Sequence, residues 1–111
     1  MIVFSLQLVP PPEMATSILR SLSAMLGPTR VAPGCVGARL YTDVDNTTSL
    51  VLVEEWESRE QFRKCLNTEK LNLLIGVIDA SREPPTIYVD CVAREEGIAA
   101  LLRKSSGDQK Y

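Results

Sequence analysis

Histidine is absent from this 111-residue chain. That absence excludes a Ser-His-Asp triad, a Cys-His pair, a histidine-ligated zinc and a proximal haem histidine. Any general base must come from a carboxylate, lysine, tyrosine, cysteine or water. Aromatic residues are scarce at 5%, and the net charge is -2 with a pI of about 5.1. A nucleic-acid surface needs basic residues and stacked rings, so no nucleic-acid partner is expected. Long apolar runs are also lacking. None approaches the roughly 20 residues that span a bilayer, so no membrane partner is expected either. The opening Met1-Ile2-Val3-Phe4-Ser5 has no basic flank and reads as a strand rather than a signal peptide. Cys35, Cys65 and Cys91 are odd in number and widely spaced, with no C-x-x-C pair. No metal site is expected from them, and a reducing, cytoplasmic setting is the simplest context.

What is present is enough for one core. Apolar residues make up 45% of the chain, near the globular average. Residues 1–103 read as a single domain and residues 104–111 as a polar tail. Residues 2–9 alternate, with Ile2, Phe4, Leu6 and Leu8 on one side, until Pro10-Pro11-Pro12 ends the strand. Residues 13–26 carry Ile18, Leu22, Met25 and Leu26 at helical spacing, and Gly27-Pro28 predicts the stop.

A second strand is predicted over 35–43, with Cys35, Gly37, Arg39 and Tyr41 on one side. A third covers about 49–56. There Leu50, Leu52, Glu54 and Trp56 oppose Val51, Val53 and Glu55. Both faces of this strand are largely apolar, which predicts burial on both sides. Ser58 to Gln61 has the form of a capping box. The helix that follows turns Phe62, Cys65 and Leu66 inward. A second helical stretch over 69–79 turns Leu71, Leu74, Ile75 and Ile78 inward. Strand four is predicted over 86–93 and a short helix over 95–103.

The order is therefore β-α-β-β-α-β. It predicts an α+β, ferredoxin-like domain with both helices on one face of a four-stranded antiparallel sheet. The other face exposes two aliphatic residues of the third strand, Val51 and Val53 or Leu50 and Leu52 according to register. A second copy of the chain covering that face is the expected solution. Coverage by segment 95–103 is the alternative.

The run Pro33-Gly34-Cys35-Val36-Gly37, the segment Leu52-Val53-Glu54-Glu55-Trp56-Glu57-Ser58 and Glu60-Gln61-Phe62 at the helix start carry a resemblance. Over residues 1–93 the chain resembles the antibiotic biosynthesis monooxygenase (ABM) domains of the dimeric α/β-barrel superfamily. The resemblance implies a homodimer whose sheets pack into a barrel, with a pocket between helices and sheet in each subunit. Some members oxygenate phenols or quinols with molecular oxygen and without metal or flavin, so no cofactor is expected. A small aromatic or quinone ligand is the implied partner, and the implied function is cofactor-independent oxygenation of a quinol or aromatic phenol.

The alternative is a non-catalytic ligand-binding or regulatory dimer on the same scaffold. Two departures from the family pattern favour it. Cys65 stands where many relatives have a histidine, and Leu52 stands where the phenol-oxidising type has an asparagine.

Within this frame Glu54 is the candidate base and Trp56 the candidate aromatic wall or N–H donor, the two together forming the catalytic pair. Arg39, Tyr41, Cys65 and Tyr88 are the candidate substrate-binding residues. Each also has a bland reading: Trp56 and Cys65 as core, Arg39, Tyr41 and Tyr88 as cross-strand neighbours, Glu54 as the ion-pair partner of Arg39.

Overall fold

The computed structural model describes residues 1–102. The predicted tail and the last residue of the predicted domain, 103–111, lie outside the described residues. Four antiparallel strands form one sheet: β1 (Ile2–Leu8), β2 (Cys35–Thr42), β3 (Leu50–Trp56) and β4 (Thr86–Cys91), in the order β2-β3-β1-β4. Helices α1 (Ala15–Arg30), α2 (Arg59–Cys65) and α3 (Thr68–Ala80) fill the two crossovers, and α4 (Ile98–Leu102) follows β4. This is the expected β-α-β-β-α-β arrangement. No helix of the described residues is long and apolar enough to cross a membrane.

Alternation decides which face meets the helices. Ile2, Phe4, Leu6 and Leu8 of β1 and Leu50, Leu52, Glu54 and Trp56 of β3 are all buried. Ile18, Leu22 and Met25 of α1 and Leu74 and Val77 of α3 close over them. The register places Phe4 opposite Glu54 and Ile2 opposite Trp56, so the large side chains interlock beneath the helices. Val51 and Val53 therefore take the open face and remain half-exposed.

Local chemistry changes several predicted details. Helix α1 does not stop at Gly27-Pro28; it continues to Arg30. The proline removes one N–H from the ladder, but the extra residues are anchored. Thr29 is buried, and Arg30 Nε donates to the Ala38 carbonyl at 2.9 Å. The second crossover is two helices, each capped by a side chain. Ser58 Oγ accepts from the Gln61 N–H at 3.2 Å, and Asn67 Oδ1 accepts from the Lys70 N–H at 2.9 Å.

The inward face of α3 is the predicted one only in part: Leu74 is buried and Ile78 packs against the core. Leu71 and Ile75 are exposed, whereas Lys70, Leu74 and Val77 are buried at i, i+4 and i+7. A bulge between Cys35 and Gly37 shifts the register of β2. It leaves Cys35 opposite Trp56 on the helix side while Gly37, Arg39 and Tyr41 take the open face. Strand β4 ends at Cys91, and all six of its residues are exposed. Beyond it Arg94 pairs with Glu55 on the open face, and α4 has no buried residue. It leaves Val51 and Val53 half-exposed, so segment 95–103 does not seal that face among the described residues.

Candidate active site

A cleft of about 630 Å³ opens between α1 on one side and α2 and α3 on the other. Its size suits a drug-sized ligand. Met25, Pro28, Ala32 and Leu73 give it apolar walls; Gln61 and Lys64 stand among its polar lining. Thr29, Cys65 and Lys70 also line it.

Lys70 is the centre of the arrangement. Its side chain is 7% exposed, and the carboxylate behind it, Glu54, is 0% exposed. Lys70 Nζ donates to Glu54 Oε1 at 3.0 Å and lies 2.8 Å from Oε2, which accepts no hydrogen bond. The ammonium also reaches Thr29 Oγ1 at 3.3 Å and Cys65 Sγ at 3.6 Å. It sits 5.7 Å from the centroid of the Trp56 ring. Trp56 Nε1 donates to Glu54 Oε1 at 3.1 Å. That contact follows from strand geometry, because residues two apart share a face. Phe62 packs on Trp56 at 6.2 Å between ring centroids and on Phe4 at 5.5 Å, which fixes the indole.

The charge pattern is a buried ion pair with its positive end toward the cleft. A carboxylate with no exposed surface needs a partner, and Lys70 supplies it from a helix 16 residues later in the chain. The bland reading of Glu54 as the partner of Arg39 therefore does not hold. Next to the pair, burial and then the Glu54 carboxylate push the Cys35 thiol above its usual pKa.

Of the six residues singled out in the sequence, the structure brings three together. Glu54 and Trp56 form the back of the cluster and Cys65 lies at its front, on the cleft. Arg39, Tyr41 and Tyr88 lie on the opposite face of the sheet. Arg39 is opposite Val53, Tyr41 opposite Val51, and Tyr88 opposite Ser5. The period-two alternation that assigns Glu54 to the helix side sends these three away from it. Lys70 and Thr29 were missed. An unpartnered acid on a core face called for a cation, and Lys70-Leu74-Val77 shows helical spacing. Thr29 lay beyond the predicted end of α1. Among the described residues no group of three or more His, Cys, Asp or Glu is placed to hold a metal ion.

Comparison with known proteins agrees with this architecture. Rv0793 of Mycobacterium tuberculosis is 26% identical, with a TM-score of 0.76 over 86% of this chain and 98% of its own. A solved antibiotic biosynthesis monooxygenase is 20% identical, with a TM-score of 0.72 over 85% of this chain and all of its own (100%). A candidate antibiotic biosynthesis monooxygenase of Deinococcus radiodurans is 15% identical, with a TM-score of 0.78 over 88% of this chain and 98% of its own. No curated protein sequence matches the chain. The family model for antibiotic biosynthesis monooxygenases matches residues 1–72, more than half of the sequence, and the chain belongs to that family.

Proposed function

We propose that the cleft binds a flat phenol or quinol and that the protein oxygenates it with molecular oxygen, without a cofactor. The observation that carries this reading is the buried ammonium of Lys70 at the floor of a largely apolar cleft, with its counter-charge buried behind it. A ring hydroxyl placed against Lys70 becomes more acidic because the phenolate is stabilised by the adjacent charge. Its proton goes to Lys70 as Lys70 passes one of its own to Glu54. The electron-rich anion then reduces oxygen itself. An activated ring or benzylic carbon gains one oxygen atom to become a carbonyl, and the second oxygen leaves as water. Substrate supplies all four electrons, so no external reductant is needed. The apolar walls exclude water from the intermediate.

In this mechanism Lys70 touches substrate. Glu54 and Trp56 act through it, Glu54 as proton store and Trp56 as the donor that fixes Glu54 in place. Cys65 and Thr29 border the ring. Arg39, Tyr41 and Tyr88 belong to the open sheet face, where we place the contact with a second copy of the chain.

Oxygen uptake with reduced naphthoquinones and anthrones, in buffers freed of metal and flavin, tests the reading. One mole of oxygen per mole of substrate is expected, with turnover lost in Lys70→Met. No turnover anywhere in the panel refutes it. One feature favours the alternative, a binding protein without turnover: both oxygens of Glu54 face Lys70 and Trp56, so this buried carboxylate does not meet a ligand directly. That reading predicts thermal stabilisation by aromatic ligands with no oxygen consumed.

A further inference from the structure

Cys65 is a nucleophile placed beside an acid catalyst inside the cleft, and the proposed oxygenation makes no use of its sulfur. We infer that Cys65 is a site of covalent capture for quinones and related α,β-unsaturated carbonyl compounds that enter the cleft. The inference rests on the reading of the cleft as a binding site for flat oxygenated rings.

Three observations combine. Cys65 lines the 630 Å³ cleft, so its sulfur meets whatever enters. Lys70 Nζ lies 3.6 Å from Sγ, so one ammonium can reach both the thiol and a ring carbonyl set next to it. Thr29 Oγ1, 3.3 Å from Nζ on the far helix, and Glu54 hold that ammonium in place, and Lys70 is 7% exposed. Cys35 and Cys91 lack this arrangement. Burial raises the pKa of Cys35 and so keeps its thiol protonated, while Cys91 is exposed at the end of β4.

The step balances without an added oxidant. The sulfur lone pair forms a C–S bond to the ring carbon β to one carbonyl. The π electrons move onto that carbonyl oxygen, which takes a proton from Lys70. Lys70 recovers a proton from the thiol. Loss of the ring proton at the carbon attacked and its gain at the second carbonyl oxygen leave a thioether-linked quinol. The ring has been reduced to the quinol level, and sulfur has supplied the two electrons of the new bond. A quinone product of the proposed oxygenation is itself a substrate for this capture, so the thiol would limit the enzyme when product accumulates.

The probe is 1,4-naphthoquinone, added in equimolar amount to the full chain carrying Cys91→Ser, with intact-mass and peptide mass spectrometry as readout. One adduct per chain, mapped to Cys65, is expected. Its rate should fall by about tenfold in Lys70→Met, the rate equivalent of one charge-assisted hydrogen bond. Lys70→Met leaves the Glu54 charge with only the Trp56 N–H, so Glu54→Gln/Lys70→Met is measured beside it and should show the same loss. Labelling of Cys65 no faster than in the urea-unfolded chain, or a rate unchanged in both Lys70 variants, overturns the proposal. Adduct without oxygen uptake refutes the oxygenase and leaves the capture site standing. Uptake without adduct does the reverse.

Discussion

Replacing Lys70 by Met tests the buried pair directly. The substitution keeps most of the volume and the unbranched stem but removes the charge. Glu54, with 0% of its side chain exposed, would keep one donor, the Trp56 N–H at 3.1 Å. Removing one partner of a buried pair costs about 3–5 kcal/mol, because the remaining charge is neither paired nor hydrated. A domain of this size has roughly 5–15 kcal/mol in total, so the loss is a large fraction of its stability. At about 4 °C per kcal/mol the melting temperature should fall by roughly 12–20 °C. Adding Glu54→Gln removes the stranded charge and leaves an amide oxygen for Trp56. The double variant should be limited to the cost of one unsatisfied amide donor, about 1–3 kcal/mol. It should therefore be more stable than Lys70→Met alone. Urea melts of the parent, Lys70→Met, Glu54→Gln and the double variant measure the coupling. A Lys70→Met loss under about 1 kcal/mol, the range of exposed pairs, would refute the reasoning. So would a double variant no more stable than the single.

Other sites give independent outcomes. Gly34 has φ +85°, and a Cβ there would lie 2.2 Å from Gln61 Cδ and Oε1. Gly34→Ala should cost about 1–3 kcal/mol in backbone strain and displace Gln61 from the cleft wall, seen as a lower urea midpoint and weaker ligand-induced thermal stabilisation. The proposed pairing of open sheet faces predicts that Val53→Lys leaves the circular dichroism spectrum intact but halves the particle mass in light scattering toward the 12.3 kDa of one chain; an unchanged mass sinks that interface. Cys35 has a folded-state pKa raised above 9.0, so the folded chain keeps a proton that the unfolded chain loses. Its contribution is complete below that value and falls away as pH rises through the folded pKa. Between about pH 8 and 10.5, Cys35→Ala should lose less urea stability than the parent; equal slopes would contradict the assignment.

The element order could be read from residues because its signals are local. Proline runs, strand alternation and the Ser58 cap each act within a few positions. The details that went differently depend on partners distant in sequence. The third strand is aliphatic on both sides, so its own pattern could not choose a face. The choice follows from Phe4 and Trp56 needing the deeper side. The bulge at Cys35 is invisible to alternation, yet it reverses that residue relative to Arg39. Helix α1 outruns Pro28 because Thr29 and Arg30 find partners on α3 and β2. Lys70 was missed for the same reason: a lysine in a polar stretch reads as a solvated face until the acid beneath it is known. Glu54 supplied half of that information, an acid among Leu50, Leu52 and Trp56 with no basic residue on its own strand.

The buried pair is poorly explained as a device for stability, since well-packed apolar residues of similar volume would serve as well or better. Its geometry points elsewhere. Glu54 is sealed by Trp56 and Lys70, while Lys70 borders the cleft, so the cleft meets a cation whose balancing charge is out of reach. A ligand with one oxygen edge and an apolar body can use both the ammonium and the walls formed by Met25, Pro28 and Leu73. A hydrocarbon leaves the ammonium unused, and a polyanion meets the apolar walls at a desolvation cost. With no histidine in the chain, a proton leaving such a ligand has a short buried route across Lys70 to the carboxylate 3.0 Å behind it. The same route would deliver a proton to a quinone oxygen, and Cys65 stands 3.6 Å from its midpoint. Oxygenation and thiol capture thus draw on one ammonium, and substitution of Lys70 should impair both.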